Sequence, residues 1–201
     1  MNTNETGSIK FNCNWIQSDP VNVETIIDIN RWRSILFKHK LIGVYPNGIG
    51  YGNISIRLDQ KEFLISGTST GHLDTLTNYH YSTVISYNFL ENSLTCSGPV
   101  KASAESMTHA AVYEMDPDIK AIIHVHSKQI WDDLIHKVPT TSMDVEYGTP
   151  QMAMEIKKLF FTTNVIEERI LVMGGHEEGI ITFGKDLEEA GAKLPFLRKN
   201  Q

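Results

Sequence analysis

The chain has 201 residues, 41% apolar and 21% charged, so about 70% of its extended surface can be buried and a disordered, collagen-like or coiled-coil chain is excluded. Its 18 basic and 24 acidic side chains leave a net charge of −6 with histidine neutral, which argues against a general nucleic-acid binder. No apolar run reaches the 18 residues of a membrane span and residues 1–7 lack the features of a signal peptide, so a cytoplasmic protein with no nucleic-acid or membrane partner is expected.

No repeat, low-complexity tract or long linker divides the chain, so residues 1–201 are expected to form one domain, with residues 1–20 as an N-terminal extension. Within that extension Ile9, Phe11, Cys13 and Trp15 alternate with polar neighbours, which predicts a strand over 8–16. Ile26, Ile29, Trp32 and Leu36 recur at helical spacing between Val23 and Lys40, with Gly43 expected to close that helix in a left-handed conformation. Residues 53–58 and 62–66 read as a hairpin, and 83–89 and 93–97 as two further strands. Ser103 is expected to cap a helix that Asp116-Pro117 ends, because the residue before proline disfavours the helical region.

Lys120–His126 is a β-branched strand, followed by a helix over 128–136 and an irregular stretch over 138–147. Thr149-Pro150 predicts a capped helix that buries Met152, Ile156, Leu159 and Phe160. Residues 169–173 and 179–183 form a last strand pair, and Asp186 caps a short helix. Strands and helices alternate without a regular βαβ period. The expected fold is an α/β/α sandwich, three layers around a central, mainly antiparallel sheet.

Eight histidines and only two cysteines, Cys13 and Cys96, are present, so any metal would rest on imidazole rather than thiolate. In His124-Val125-His126 the strand period sets both rings on one face while Ile123 and Val125 face the core. Such a pair suits zinc, copper, iron or nickel, and equally a surface-facing pair without metal; a catalytic zinc needs one more protein ligand. His176, in the glycine-rich bend 174–179, is the natural third ligand, although a loop histidine alone is usually solvated. Glu105 and His109, four apart on the helix after Ser103, share one face. Glu105 can reach the histidines as a proton carrier, or simply complement the helix dipole. His109 fits a supporting or core position, and His39, His72, His80 and His136 carry no assigned role. The loops 48–53 and 66–71 are rich in backbone N–H groups and hydroxyls able to cradle an oxyanion.

Five motifs in order, Gly-Asn-Ile-Ser (52–55), Ser-Gly-Thr-Ser-Thr-Gly (66–71), Ser-Ala-Glu-Ser-Met-Thr-His (103–109), His-Val-His-Ser (124–127) and Gly-Gly-His-Glu-Glu-Gly (174–179), resemble the class II aldolase/adducin family over residues 22–191. The resemblance implies a divalent metal, usually zinc (Zn2+), held by His124, His126 and His176, with Glu105 as the catalytic carboxylate. It implies that Gly52, Asn53, Thr68, Thr70, Gly71 and Ser103 bind a substrate phosphate, and that the chain is a homotetramer. The implied activity is a lyase, an aldolase of carbohydrate metabolism acting on a small sugar or sugar phosphate through an enediolate. Relatives on the same scaffold are epimerases, dehydratases or decarboxylases, and the adducin head is a binding module without the metal ligands. Ala104 departs from the aldolase pattern where a serine helps hold phosphate, and Tyr147 aligns with a structural aromatic rather than with the tyrosine that donates a proton.

Overall fold

The structure, a computed structural model, describes residues 9–195. Its strands are β1 (Asn12–Gln17), β2 (Gly43–Val44), β3 (Gly50–Tyr51), β4 (Asn53–Arg57), β5 (Phe63–Ser66), β6 (Tyr81–Asn88), β7 (Ser93–Gly98), β8 (Ala121–His126), β9 (Ile170–Val172) and β10 (Gly179–Gly184). Its α-helices are α1 (Ile27–Lys38), α2 (Ser106–Met115), α3 (Lys128–Leu134), α4 (Pro150–Thr162), α5 (Val165–Glu168) and α6 (Leu187–Ala192). Eight strands form one sheet in the order β1-β7-β6-β5-β4-β8-β10-β9, and β2 pairs with β3 apart from it. β1 lies parallel to β7 and all other neighbours are antiparallel.

The period of two along each strand divides the core into two layers. Phe63, Ile65 and Ile122 pack against Met107 and Ala110 of α2 and Ile156 of α4 on one face. Leu64, Ile123 and Val125 pack against Ile29, Trp32 and Leu36 of α1 and Leu187 of α6 on the other. The expected three layers are therefore present, with the predicted α1 positions Ile26, Ile29, Trp32 and Leu36 all buried. Thr149 caps α4 by accepting from Met152 N at 3.2 Å, and Asp186 caps α6 by accepting from Glu189 N at 2.7 Å. Among the described residues no helix is long and apolar enough to cross a membrane.

Three local expectations are corrected, and one pairing was not foreseen. The left-handed residue after α1 is Lys40 (φ 56°), not Gly43, which opens β2 and whose missing side chain leaves room for the Tyr51 ring. Ser103 does not cap α2: its Oγ accepts from Glu105 N at 3.3 Å in a turn that precedes the helix, which starts at Ser106. α3 ends at Leu134, before His136, whose φ of 61° is outside the helical range. The two cysteines, distant in sequence, have sulfurs 3.7 Å apart, because β1 lies beside β7.

Candidate active site

The site lies where the C-terminal end of β8 meets the N-terminal ends of β4 and β10. Antiparallel pairing sets Asn53 opposite His124 and Gly179 opposite His126, so these three strands deliver their polar residues to one end of the sheet. Gly52, just ahead of β4, has φ 71° and lies so close to the Leu41 and His124 carbonyls that a Cβ would meet them within 2.9 and 3.1 Å. At Gly175 a Cβ would lie 2.0 Å from Val145 O, so the bend carrying His176 can press onto the 141–145 segment only as glycine.

These constraints bring the three expected histidines together. Potential ligand nitrogens of His124, His126 and His176 all lie within 4.8 Å of one another, within reach of a single ion. His124 and His126 are buried and the His176 side chain is 10% exposed. Burial holds all three rings below the usual histidine range, His176 at about 4, which keeps them neutral as metal ligation requires. His124 Nε2 and Glu105 Oε1 are buried atoms with no hydrogen-bond partner among the described residues. Such orphaned groups are costly unless something not yet present takes them up, and a divalent cation suits this donor set. Asn53 Nδ2 lies 3.2 Å from His124 Nδ1; the same amide turned by half a rotation presents its oxygen there, and Nδ1 then carries the proton and leaves Nε2 free to ligate.

Glu105 stands beside the histidines in the turn leading into α2. Its Oε2 accepts from the Thr108 hydroxyl at 2.6 Å, and its Oε1 lies 4.0 Å from His176 Nε2. Burial pushes this carboxyl up to about 7, against the Thr108 hydrogen bond and the charge of Lys10, which both pull it down. His109 does not join it. Its ring turns to Ser55 Oγ at 2.7 Å, in a buried group completed by Tyr113.

A cavity of about 880 Å³ opens on this centre and is lined by all six residues expected to hold substrate. The side chains of three of them are already engaged: Asn53 with His124, Ser103 with Glu105 N, and Thr70 by donating to Gly67 O at 2.8 Å. Loop 66–71 is tied to the segment before α2 by Thr68 N donating to Lys101 O at 2.9 Å and by a bridge between Gly67 and Ala102. Tyr147 also lines the cavity, its ring 4.5 Å from that of His176.

Sequence reading missed Arg33, Tyr45, Tyr51 and Glu178. Arg33 is 1% exposed, and its guanidinium donates to the carbonyls of Leu73, Thr70 and Gly71. With those carbonyls turned to Arg33, planar trans peptides aim the N–H groups of Gly71 and His72 the other way. Both residues line the cavity, so a buried cation braces the loop expected to receive an anion. Arg33→Met should cost about 2–3 kcal/mol and speed amide exchange across 67–73; unchanged exchange there would remove the bracing role. An arginine inside an apolar helical stripe was the available signal. For Tyr45 and Tyr51 it was Pro46-Asn47-Gly48, a turn between aromatic-bearing segments.

The site and fold define a family. The class II aldolase and adducin N-terminal domain matches residues 47–199, and the chain belongs to that family. Among individual proteins, the 3-oxo-tetronate 4-phosphate decarboxylase of Haemophilus influenzae is 35% identical over 80 residues, which is 39% of this chain and 34% of that protein. The chain thus matches about a third of that relative's length. Two solved structures share the fold: L-fuculose 1-phosphate aldolase, with a TM-score of 0.61 and 18% identity over 90% of this chain and 89% of that one, and YgbL of Escherichia coli. YgbL, named with aldolase, epimerase and decarboxylase as alternatives, gives a TM-score of 0.61 and 19% identity over 88% of this chain and 86% of its own.

Proposed function

We propose that the protein is a metal-dependent lyase that breaks a carbon–carbon bond beside the carbonyl of a small hydroxylated, phosphorylated substrate, with aldol cleavage as the first reading. The observation that carries it is the buried group of three neutral imidazoles with Glu105, whose free Oε1 faces the same cavity. His124, His126 and His176 would hold a divalent ion, zinc by preference for neutral nitrogen ligands. When bound, that ion supplies a Lewis acid that stabilises negative charge developing on the substrate carbonyl oxygen. Glu105, at about 7, can both take and return a proton at the substrate carbon near neutral pH. Backbone N–H groups of the 66–71 loop would hold the phosphate, with Gly52, Asn53, Thr68, Thr70, Gly71 and Ser103 as its setting.

Decarboxylation is the second reading, favoured by the name of the Haemophilus influenzae relative. Both reactions leave the same electron-rich carbon next to the carbonyl, so one centre serves either; they differ in whether an aldehyde or carbon dioxide departs. A binding module of the adducin type fits less well, because it would leave a buried carboxyl and a buried imidazole nitrogen unpartnered with no chemistry to explain them. A homotetramer is the expectation that the family carries. The deciding assay offers the metal-replete enzyme a panel of ketose phosphates and 3-oxo acid phosphates, with aldehyde and carbon dioxide both measured. Aldehyde release supports the first reading and carbon dioxide the second. Neither product from any compound would count against a lyase.

A further inference from the structure

We propose that Tyr45 and Glu178 form a relay that locks His126 in the tautomer with a free Nε2, making Tyr45 a positioning residue for the metal centre. The proposal rests on the three-histidine reading given above. The Tyr45 hydroxyl lies 2.9 Å from His126 Nδ1 and also donates to Glu178 Oε2. A phenol has one proton, and a carboxylate can only accept, so that proton lies toward Glu178. The oxygen's lone pair then faces His126, whose Nδ1 must supply the hydrogen. An imidazole protonated at Nδ1 presents its lone pair at Nε2, the form a metal takes.

The local backbone is arranged for this contact. Of the two consecutive glutamates after His176, Glu177 has a side chain 69% exposed and pairs with Lys128, whereas Glu178 reaches Tyr45. Glu178 has φ 71°, a left-handed conformation that a residue with a side chain rarely adopts. Its carbonyl is pinned by Ser127 N at 3.0 Å, one residue beyond the histidine strand. On the other side, the Tyr51 ring packs 4.4 Å from that of Tyr45 and 5.6 Å from that of His126. The small β2–β3 hairpin, which adds nothing to the main sheet, thus delivers one hydroxyl to one ring nitrogen. His124 lacks such enforcement, since the Asn53 amide facing its Nδ1 offers donor and acceptor alike.

Two measurements test the relay. In metal-free protein, 15N NMR of the histidine rings should show His126 protonated at Nδ1, and Y45F should shift it toward the Nε2–H form. Zinc affinity, read by competition with a chelator, should weaken by about 10–100-fold in Y45F and in the same direction in E178Q, where an amide no longer dictates the direction of the Tyr45 proton. Because Glu178 acts only through Tyr45, Y45F/E178Q should bind no more weakly than Y45F. Wild-type His126 protonated at Nε2, zinc affinity in Y45F within twofold of wild type, or additive losses in the double variant would each overturn the relay. E178Q keeps every aromatic contact, so it decides the question even if Y45F folds poorly. A wild-type protein that binds no zinc but holds His126 in the Nδ1–H form would fail the metal reading while upholding the relay.

Discussion

Replacing Glu105 by glutamine is expected to leave metal content near wild type and to slow exchange of the substrate's carbon-bound proton with solvent by about 10²–10⁴-fold. Glu105 is 4% exposed, one oxygen is held by Thr108, and the other faces the histidines with no partner among the described residues. Glutamine has the same shape and can still accept from Thr108, but it cannot take up a proton. With the carboxyl at about 7, the wild-type group is poised to do so at neutral pH. Incorporation of deuterium from D2O, followed by NMR, separates this step from binding. Exchange at the wild-type rate in the variant would place the proton carrier elsewhere.

Acid should unfold the metal-free protein unusually steeply, and His109 isolates one part of that effect. Burial alone holds His109 at about 3, against about 6.5 in an unfolded chain. A histidine depressed in the fold is neutral where the unfolded chain is protonated, so the unfolded state binds more protons between those values. Its stabilising effect is fully present above about pH 6.5 and is lost as pH falls toward 3, at up to about 1.4 kcal/mol per pH unit. The three site histidines shift in the same direction and add to the slope. Glu105 opposes them: raised from 4.5 to about 7, it is held protonated in the fold and favours folding as pH falls through that window. Urea unfolding between pH 7 and 5 should therefore show H109Q losing less stability than wild type, by up to about 1.4 kcal/mol per unit. Parallel curves for the two proteins would contradict the assignment.

The legible parts of this protein were those written in local periodicity. The apolar spacing of α1, the Thr149 and Asp186 caps, the β4–β5 hairpin and the same-face placement of His124 and His126 each depend on residues within a few positions of one another. What stayed hidden was partnership across the chain. The alternation of residues 9–15 announces a strand, but nothing in it says that β1 lies parallel to β7 some 80 residues on. Tyr45 and Glu178, 133 residues apart, meet only because β10 pairs with β8 and the short hairpin folds over its end. Arg33 sits in a helix whose neighbours are apolar, and its role depends on loop carbonyls about 40 residues away. Ser103 shows a different failure: a good capping residue was present, but the chain spends its oxygen on Glu105 N in a preceding turn, which aims the carboxyl at the histidines.

The most direct test of the central claim is metal content by mass spectrometry on protein purified without chelator and re-equilibrated with zinc, for wild type and for His124→Ala. About one ion per chain is expected in wild type and a sharp loss in the variant, since one of the three clustered nitrogens has gone. No bound metal in wild type, or equal content in both proteins, would contradict it.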